Sequence, residues 1–91
     1  MAVPFRLARS PQVIFQEVSG EMVLLDLASE QYFGLDEVGA RIWQLIDEHA
    51  EWPAMIPVLL DEYDVEETRL REDVERLLNE LMASGLLQAS G

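Results

Sequence analysis

The sequence predicts an α+β domain in which a small antiparallel sheet comes first and three helices gather against one side of it. Three observations carry this. Apolar residues alternate with period two in the first third, helical stripes follow residue 36, and most connections between elements are short. At 91 residues and 10.4 kDa the chain is expected to form one domain spanning 1–91. A chain this size buries only about 60–65% of the surface its unfolded form exposes, enough for one modest core.

Val3, Phe5 and Leu7 alternate with Pro4 and Arg6, which predicts a first strand ended by Ser10-Pro11. Val13-Ile14-Phe15 opens a second. Ser19-Gly20 is a tight-turn signal, and Met22-Val23-Leu24-Leu25-Asp26-Leu27 follows it as a third strand hairpinned to the second. Both faces of residues 22–25 are apolar, so both are expected to be covered. From Ala28 to Asp36 the chain reads as a turn, with Tyr32 and Phe33 beside Gly34.

Asp36 is placed to cap a first helix over 36–49, whose inward face is Val38, Ile42, Leu45 and Ile46, with Trp43 at its margin. Gly39 costs that helix up to about 1 kcal/mol against alanine, which points to close approach of another backbone. A second helix is expected over 53–63, its start blurred by Pro53 and Pro57. Asp64 and Glu67 resemble a capping box for a third helix. In it Leu70, Val74, Leu77, Leu78 and Leu81 give the strongest periodic signal in the chain. Gly85 is the natural left-handed cap, after which Leu86-Leu87 fold back as a short strand or apolar clasp.

Composition removes whole classes of function. Eighteen acids against six bases give a net charge of −12, with residues 1–20 at +1 and 21–91 at −13. That field repels polyphosphate, so nucleic acid is not an expected partner. A helix-turn-helix reading of the last two helices fails for the same reason. Arg69, Arg71 and Arg76 sit among more numerous acids, and Arg69, Asp73, Arg76 and Glu80 read as intrahelical ion pairs. No cysteine is present, which excludes disulfides and thiolate chemistry and fits a cytoplasmic setting. All six bases are arginine, so no lysine exists for a Schiff base. No stretch reaches the roughly 18 apolar residues of a membrane span, so no membrane association is expected.

Catalysis and metal binding find no constellation. His49 is the one histidine, near a helix end among Asp47, Glu48 and Glu51, and reads as a helix-terminal residue rather than a ligand. Asp26 with Glu30, and Asp36 with Glu37, read as turn and cap residues. No enzyme, no cofactor and no metal are expected. What remains is a binding module. A three-stranded sheet has edges, and an edge strand is a template for an extended peptide. The third strand is taken as that edge, with Val23, Leu25 and Leu27 on one face and Leu24 and Asp26 on the other. Leu70, Val74 and Leu77 are the candidate second wall, although residues of this type are equally ordinary core.

The runs Met22–Leu27 and Tyr32-Phe33-Gly34-Leu35-Asp36-Glu37-Val38-Gly39-Ala40-Arg41-Ile42-Trp43 resemble the signature of PqqD-like proteins, the recognition elements of ribosomally made, modified peptides (RiPPs). The similarity continues through Leu59–Val65, Val74–Leu81 and Gly85-Leu86-Leu87, with Asp36 standing where many relatives carry asparagine. The resemblance implies a winged-helix-like fold, no catalytic activity, and binding of the leader segment of a precursor peptide as a strand beside the third strand and against the third helix. Carried onto this sequence, the implied peptide-binding residues are Met22, Val23, Leu24, Leu25, Asp26, Leu27 and Ala28 at the edge, with Leu70, Asp73, Val74 and Leu77 as the helical wall. With no enzyme domain attached, the chain looks like a stand-alone member, most like the leader-binding proteins of lasso-peptide gene clusters. The partner implied there is a separate cysteine protease, with a cyclase acting in the same maturation. Two other readings stay open: a PqqD-type chaperone delivering its peptide to a radical-SAM enzyme, and an acidic winged-helix module that binds another protein.

Overall fold

The computed structural model describes residues 3–49 and 51–90. In chain order these form β1 (Leu7–Arg9), β2 (Val13–Val18), β3 (Glu21–Asp26), β4 (Gln31–Leu35), α1 (Glu37–Glu48), a 3-10 turn (Trp52–Ala54), α2 (Met55–Glu62), α3 (Glu67–Ala83) and β5 (Leu87–Ala89). The α+β class, the three-stranded antiparallel sheet and the three helices are as expected. Residues 1, 2 and 91, the ends of the expected single domain, lie outside the described residues.

Membership of the sheet differs from the expectation. Its order is β2-β3-β4, while β1 pairs with β5 in a separate two-stranded ribbon. The β2–β3 hairpin forms as predicted, with Val13 opposite Asp26 and Val18 opposite Glu21. Ser19 (φ 53°) and Gly20 (φ 84°) are both left-handed, the backbone that a two-residue hairpin turn with matching twist requires. β4 occupies what read as a turn. Gly34 argued against a strand, but Tyr32 and Phe33 are strong strand formers, and Phe33 pairs with Leu24. At the N-terminus the alternation misleads: Val3 and Leu7 are buried, Phe5 is 62% exposed, and pairing begins only at Leu7.

β3 buries one face. Met22, Leu24 and Asp26 point at the helices, whereas Val23 lies on the outer face, 39% exposed, so the expected double cover holds on one side alone. Trp43 is fully buried rather than marginal. The Phe15 ring meets it edge-on at 5.8 Å, and the Arg9 guanidinium stands over both rings, 4.6 Å from Phe15 and 4.9 Å from Trp43. Arg9 also donates to the Trp43 carbonyl at 2.6 Å and pairs with Asp47 at 3.1 Å. Burial pulls the Arg9 pKa down and Asp47 partly restores it.

Asp36 caps α1 as predicted, its carboxylate accepting from the Gly39 N–H at 2.8 Å. Gly39 makes room for that cap rather than for another backbone. A Cβ there would stand 3.2 Å from the Asp36 carboxylate and 3.2 Å from the Leu35 side chain. Pro53 falls in the 3-10 turn and Pro57 in the first turn of α2, where a missing N–H removes no intrahelical bond. α3 begins after Glu66 with no side-chain cap, because Asp64 lies two residues too early for the expected capping box. Gly85 (φ 77°) ends it: its N–H donates to Met82 and the Leu86 N–H to Leu81, the paired bonds of a Schellman cap. That reversal starts β5, so the Leu86-Leu87 clasp is a strand closing on β1.

One ion pair ties α1 to α2. Arg41 grips Glu62 bidentately at 2.7 and 2.8 Å, and its hydrogen bond holds the Glu62 carboxyl below its ordinary value of 4.5. A lowered folded-state pKa means the pair stabilises the fold above that range and stops doing so as pH falls through it. The stability advantage of the wild type over Glu62→Gln, read from thermal melts, is therefore expected near neutral pH and is lost on acidification below 4.5. An advantage that persists in acid would contradict this.

Candidate functional site

The topology moves the open edge. β3 is hydrogen-bonded on both sides, Leu24 lying opposite Phe15 on one flank and Phe33 on the other, so residues 22–28 do not form a free border. The expectation fails by a count of one strand. The run near Leu7 belongs to the β1–β5 ribbon and not to this sheet, and the segment expected to turn supplies β4 in its place. The third strand of the sheet is thus β4, which among the described residues pairs with β3 alone and leaves alternate N–H and C=O groups directed outward.

Beside that edge runs a cleft of about 600 Å³. Phe33, Gly34 and Leu35 of β4 form one lip and α3 forms the other, with Val38 and Ile42 of α1 also lining it. All four helical-wall residues named from the sequence, Leu70, Asp73, Val74 and Leu77, line this cleft. Their depths differ. Leu70 and Val74 are buried in the core, whereas Leu77 is half-buried and Asp73 exposed. Tyr63 and Val65, between α2 and α3, also line it. Burial, with the nearby charges of Glu37 and Glu62, pushes the Tyr63 hydroxyl upward, so it stays a neutral hydrogen-bond donor near pH 7.

Of the expected ion-pair series on α3, only one link forms. Asp73 accepts from Arg76 at 2.7 Å, Arg69 and Asp73 do not pair, and Arg71 pairs with Glu67 at 3.2 Å. His49 is the C-terminal cap residue of α1, its backbone N–H donating to Leu45, and is not a lining residue of the cleft. The Asp26 carboxylate holds the turn after β3, accepting from the Ala28 N–H at 3.1 Å and the Ser29 hydroxyl at 2.8 Å. Among the described residues no group of three or more His, Cys, Asp or Glu side chains is placed to hold a metal ion, and no helix is long and apolar enough to cross a membrane.

The sequence matches the family described as Coenzyme PQQ synthesis protein D over residues 21–87, most of the chain. The protein belongs to the PqqD family. The matched region runs from β3 to β5, so it contains both lips of the cleft. Two solved structures are similar throughout. TbiB1, in complex with the TbiA(beta) leader peptide, is 32% identical with a TM-score of 0.84, over 91% of this chain and 96% of that one. A lasso peptide synthetase B1, complexed with the leader peptide, is 32% identical with a TM-score of 0.80, over 91% of this chain and 98% of that one. No curated protein sequence matches. The PqqD-like resemblance read from Met22–Leu27 and Tyr32–Trp43 therefore stands, while β4, Val38, Ile42, Tyr63 and Val65 line the cleft without having been expected as peptide-binding residues. For β4 the signal lies in the aromatic pair Tyr32-Phe33.

Proposed function

We propose that this protein binds the leader segment of a ribosomally synthesised precursor peptide, as a strand added to β4 in the cleft against α3. It acts as a non-catalytic adaptor that presents the peptide to a separate leader-removing cysteine protease and a cyclase, as in lasso-peptide maturation. The observation that carries this is the pairing of an unpaired strand edge with an apolar cleft. The likeness to two B1 proteins solved with leader peptides supports it. Backbone hydrogen bonds along β4 give the register, and the cleft between Phe33 and Leu77 takes alternate side chains. Ordering a flexible leader costs about 2–5 kcal/mol of the gross interaction energy, so that cleft must be well filled. The absence of cysteine and lysine, with a single histidine, supports an adaptor rather than a catalyst. The family description, a protein of coenzyme PQQ synthesis, supports keeping a second reading: the same cleft presents its peptide to a radical-SAM enzyme, the partner that the PqqD-like resemblance implies. The enzymes encoded beside this protein distinguish the two.

The direct test is titration of the protein into a fluorescent leader peptide made from the precursor encoded in the same gene cluster. Saturable binding is expected, and its absence would overturn the proposal. The net charge of −12 attracts basic leader residues, so association is expected to slow as salt is added. A salt-independent association rate would remove the electrostatic contribution while leaving the cleft.

A further inference from the structure

Four of the six arginines are tied to carboxylates: Arg9 to Asp47, Arg41 to Glu62, Arg71 to Glu67 and Arg76 to Asp73. Arg69 is not. It is exposed, lines the cleft, and has no ion-pair or hydrogen-bond partner for its side chain among the described residues. In a chain with three acids for every base, an unanswered guanidinium at the mouth of a cleft is a local exception. Glu80 lines the same cleft and its carboxylate likewise has no partner among the described residues. Eleven residues separate the two, close to three helical turns, so they stand on one stripe of α3 about 16 Å apart along its axis. Between them Asp73 and Arg76, also on the cleft, neutralise each other at 2.7 Å. The helical wall is thus positive at one end, neutral in the middle and negative at the other.

We infer that Arg69 and Glu80 are specificity-determining residues for the bound strand, Arg69 taking an acidic side chain of the peptide and Glu80 a basic one. The inference rests on the reading of this cleft as a peptide site. A strand rises about 3.4 Å per residue and turns only alternate side chains toward one wall. The two peptide charges therefore stand four or six residues apart, the even spacings nearest 16 Å, with the long arginine and glutamate side chains covering the difference. The overall field of the protein makes a different demand. A charge of −12 favours basic residues anywhere on the peptide and gives no reason for an acidic one.

The test is selection from a displayed library of random peptides long enough to span the cleft, against the wild type, Arg69→Glu and Arg71→Glu. Selected peptides are then located by backbone amide shifts. The wild type is expected to enrich an acidic and a basic residue at the stated spacing. Replacing the acidic one by its amide should weaken binding about two- to fivefold, the range of exposed ion pairs. Arg69→Glu is expected to select a basic residue at the formerly acidic position. Arg71→Glu makes the same change in net charge at a residue that does not line the cleft, and is expected to leave the pattern unaltered. Peptides that shift the β4 amides without acidic enrichment would overturn the inference. So would a pattern unmoved by Arg69→Glu, or moved equally by Arg71→Glu. If no selected peptide perturbs β4, the reading of the cleft itself falls.

Discussion

Leu77→Asp is expected to weaken leader binding by about 30-fold or more while the protein stays folded, because burying an unpaired carboxylate against an apolar peptide side chain costs on the order of 2–4 kcal/mol. Leu77 is the α3 residue best suited to this test. It lines the cleft yet is only half-buried, so in the free protein an aspartate there keeps part of its hydration. Leu77→Ala removes contact area without adding charge and is expected to lose about tenfold. Fluorescence anisotropy with a labelled leader measures both, with circular dichroism on the same samples. Wild-type affinity in folded Leu77→Asp would show that the peptide does not lie along α3.

Val74→Asp, one turn earlier, is expected to fail differently. Val74 has no exposed surface, so an aspartate there is an unpaired charge in the core. The cost, on the order of 3–5 kcal/mol, is comparable with the whole stability of many small domains. Loss of the cooperative thermal transition is expected. Leu25→Asp is the contrast. Leu25 lies on the outer sheet face between Ile14 and Tyr32, with Tyr32 74% exposed, so the substitution is expected to cost about 1 kcal/mol and leave leader affinity near wild type. Sequence alone treats Leu25 and Val74 as equivalent parts of one peptide site. Folded, leader-blind Leu25→Asp would return the site to β3.

The helices were legible because their signals are local. The stripe from Leu70 to Leu81, the Asp36 cap and the left-handed Gly85 are each set by residues within a turn or two of one another. The Ser19-Gly20 hairpin is local too. What the residues could not reveal was which strand stands at an edge. That property belongs to the neighbours of a strand, and β5, which captures β1, lies at the far end of the chain. One clue was available. A run apolar on both faces suits a central strand better than an edge, and Met22-Val23-Leu24-Leu25, four apolar residues in succession, lies in β3, the central one.

The depth of Trp43 was similarly hidden. Its place beside the inward stripe of α1 fits a marginal position, and it is the arrival of Phe15 and Arg9 from other elements that buries it. Spacing picks out Leu70, Val74 and Leu77, the family resemblance adds Asp73, and all four line the cleft. The facing lip was displaced by one strand, because Gly34 and the turn residues before Gln31 masked the strand propensity of Tyr32-Phe33.

Hydrogen–deuterium exchange with and without saturating leader peptide tests the docking edge most directly. The outward N–H groups of residues 31–35 are expected to become protected when leader binds, with β3 and the β2 edge unchanged. Protection appearing instead along residues 13–18, or none at 31–35 under conditions where binding is complete, would contradict strand addition at β4.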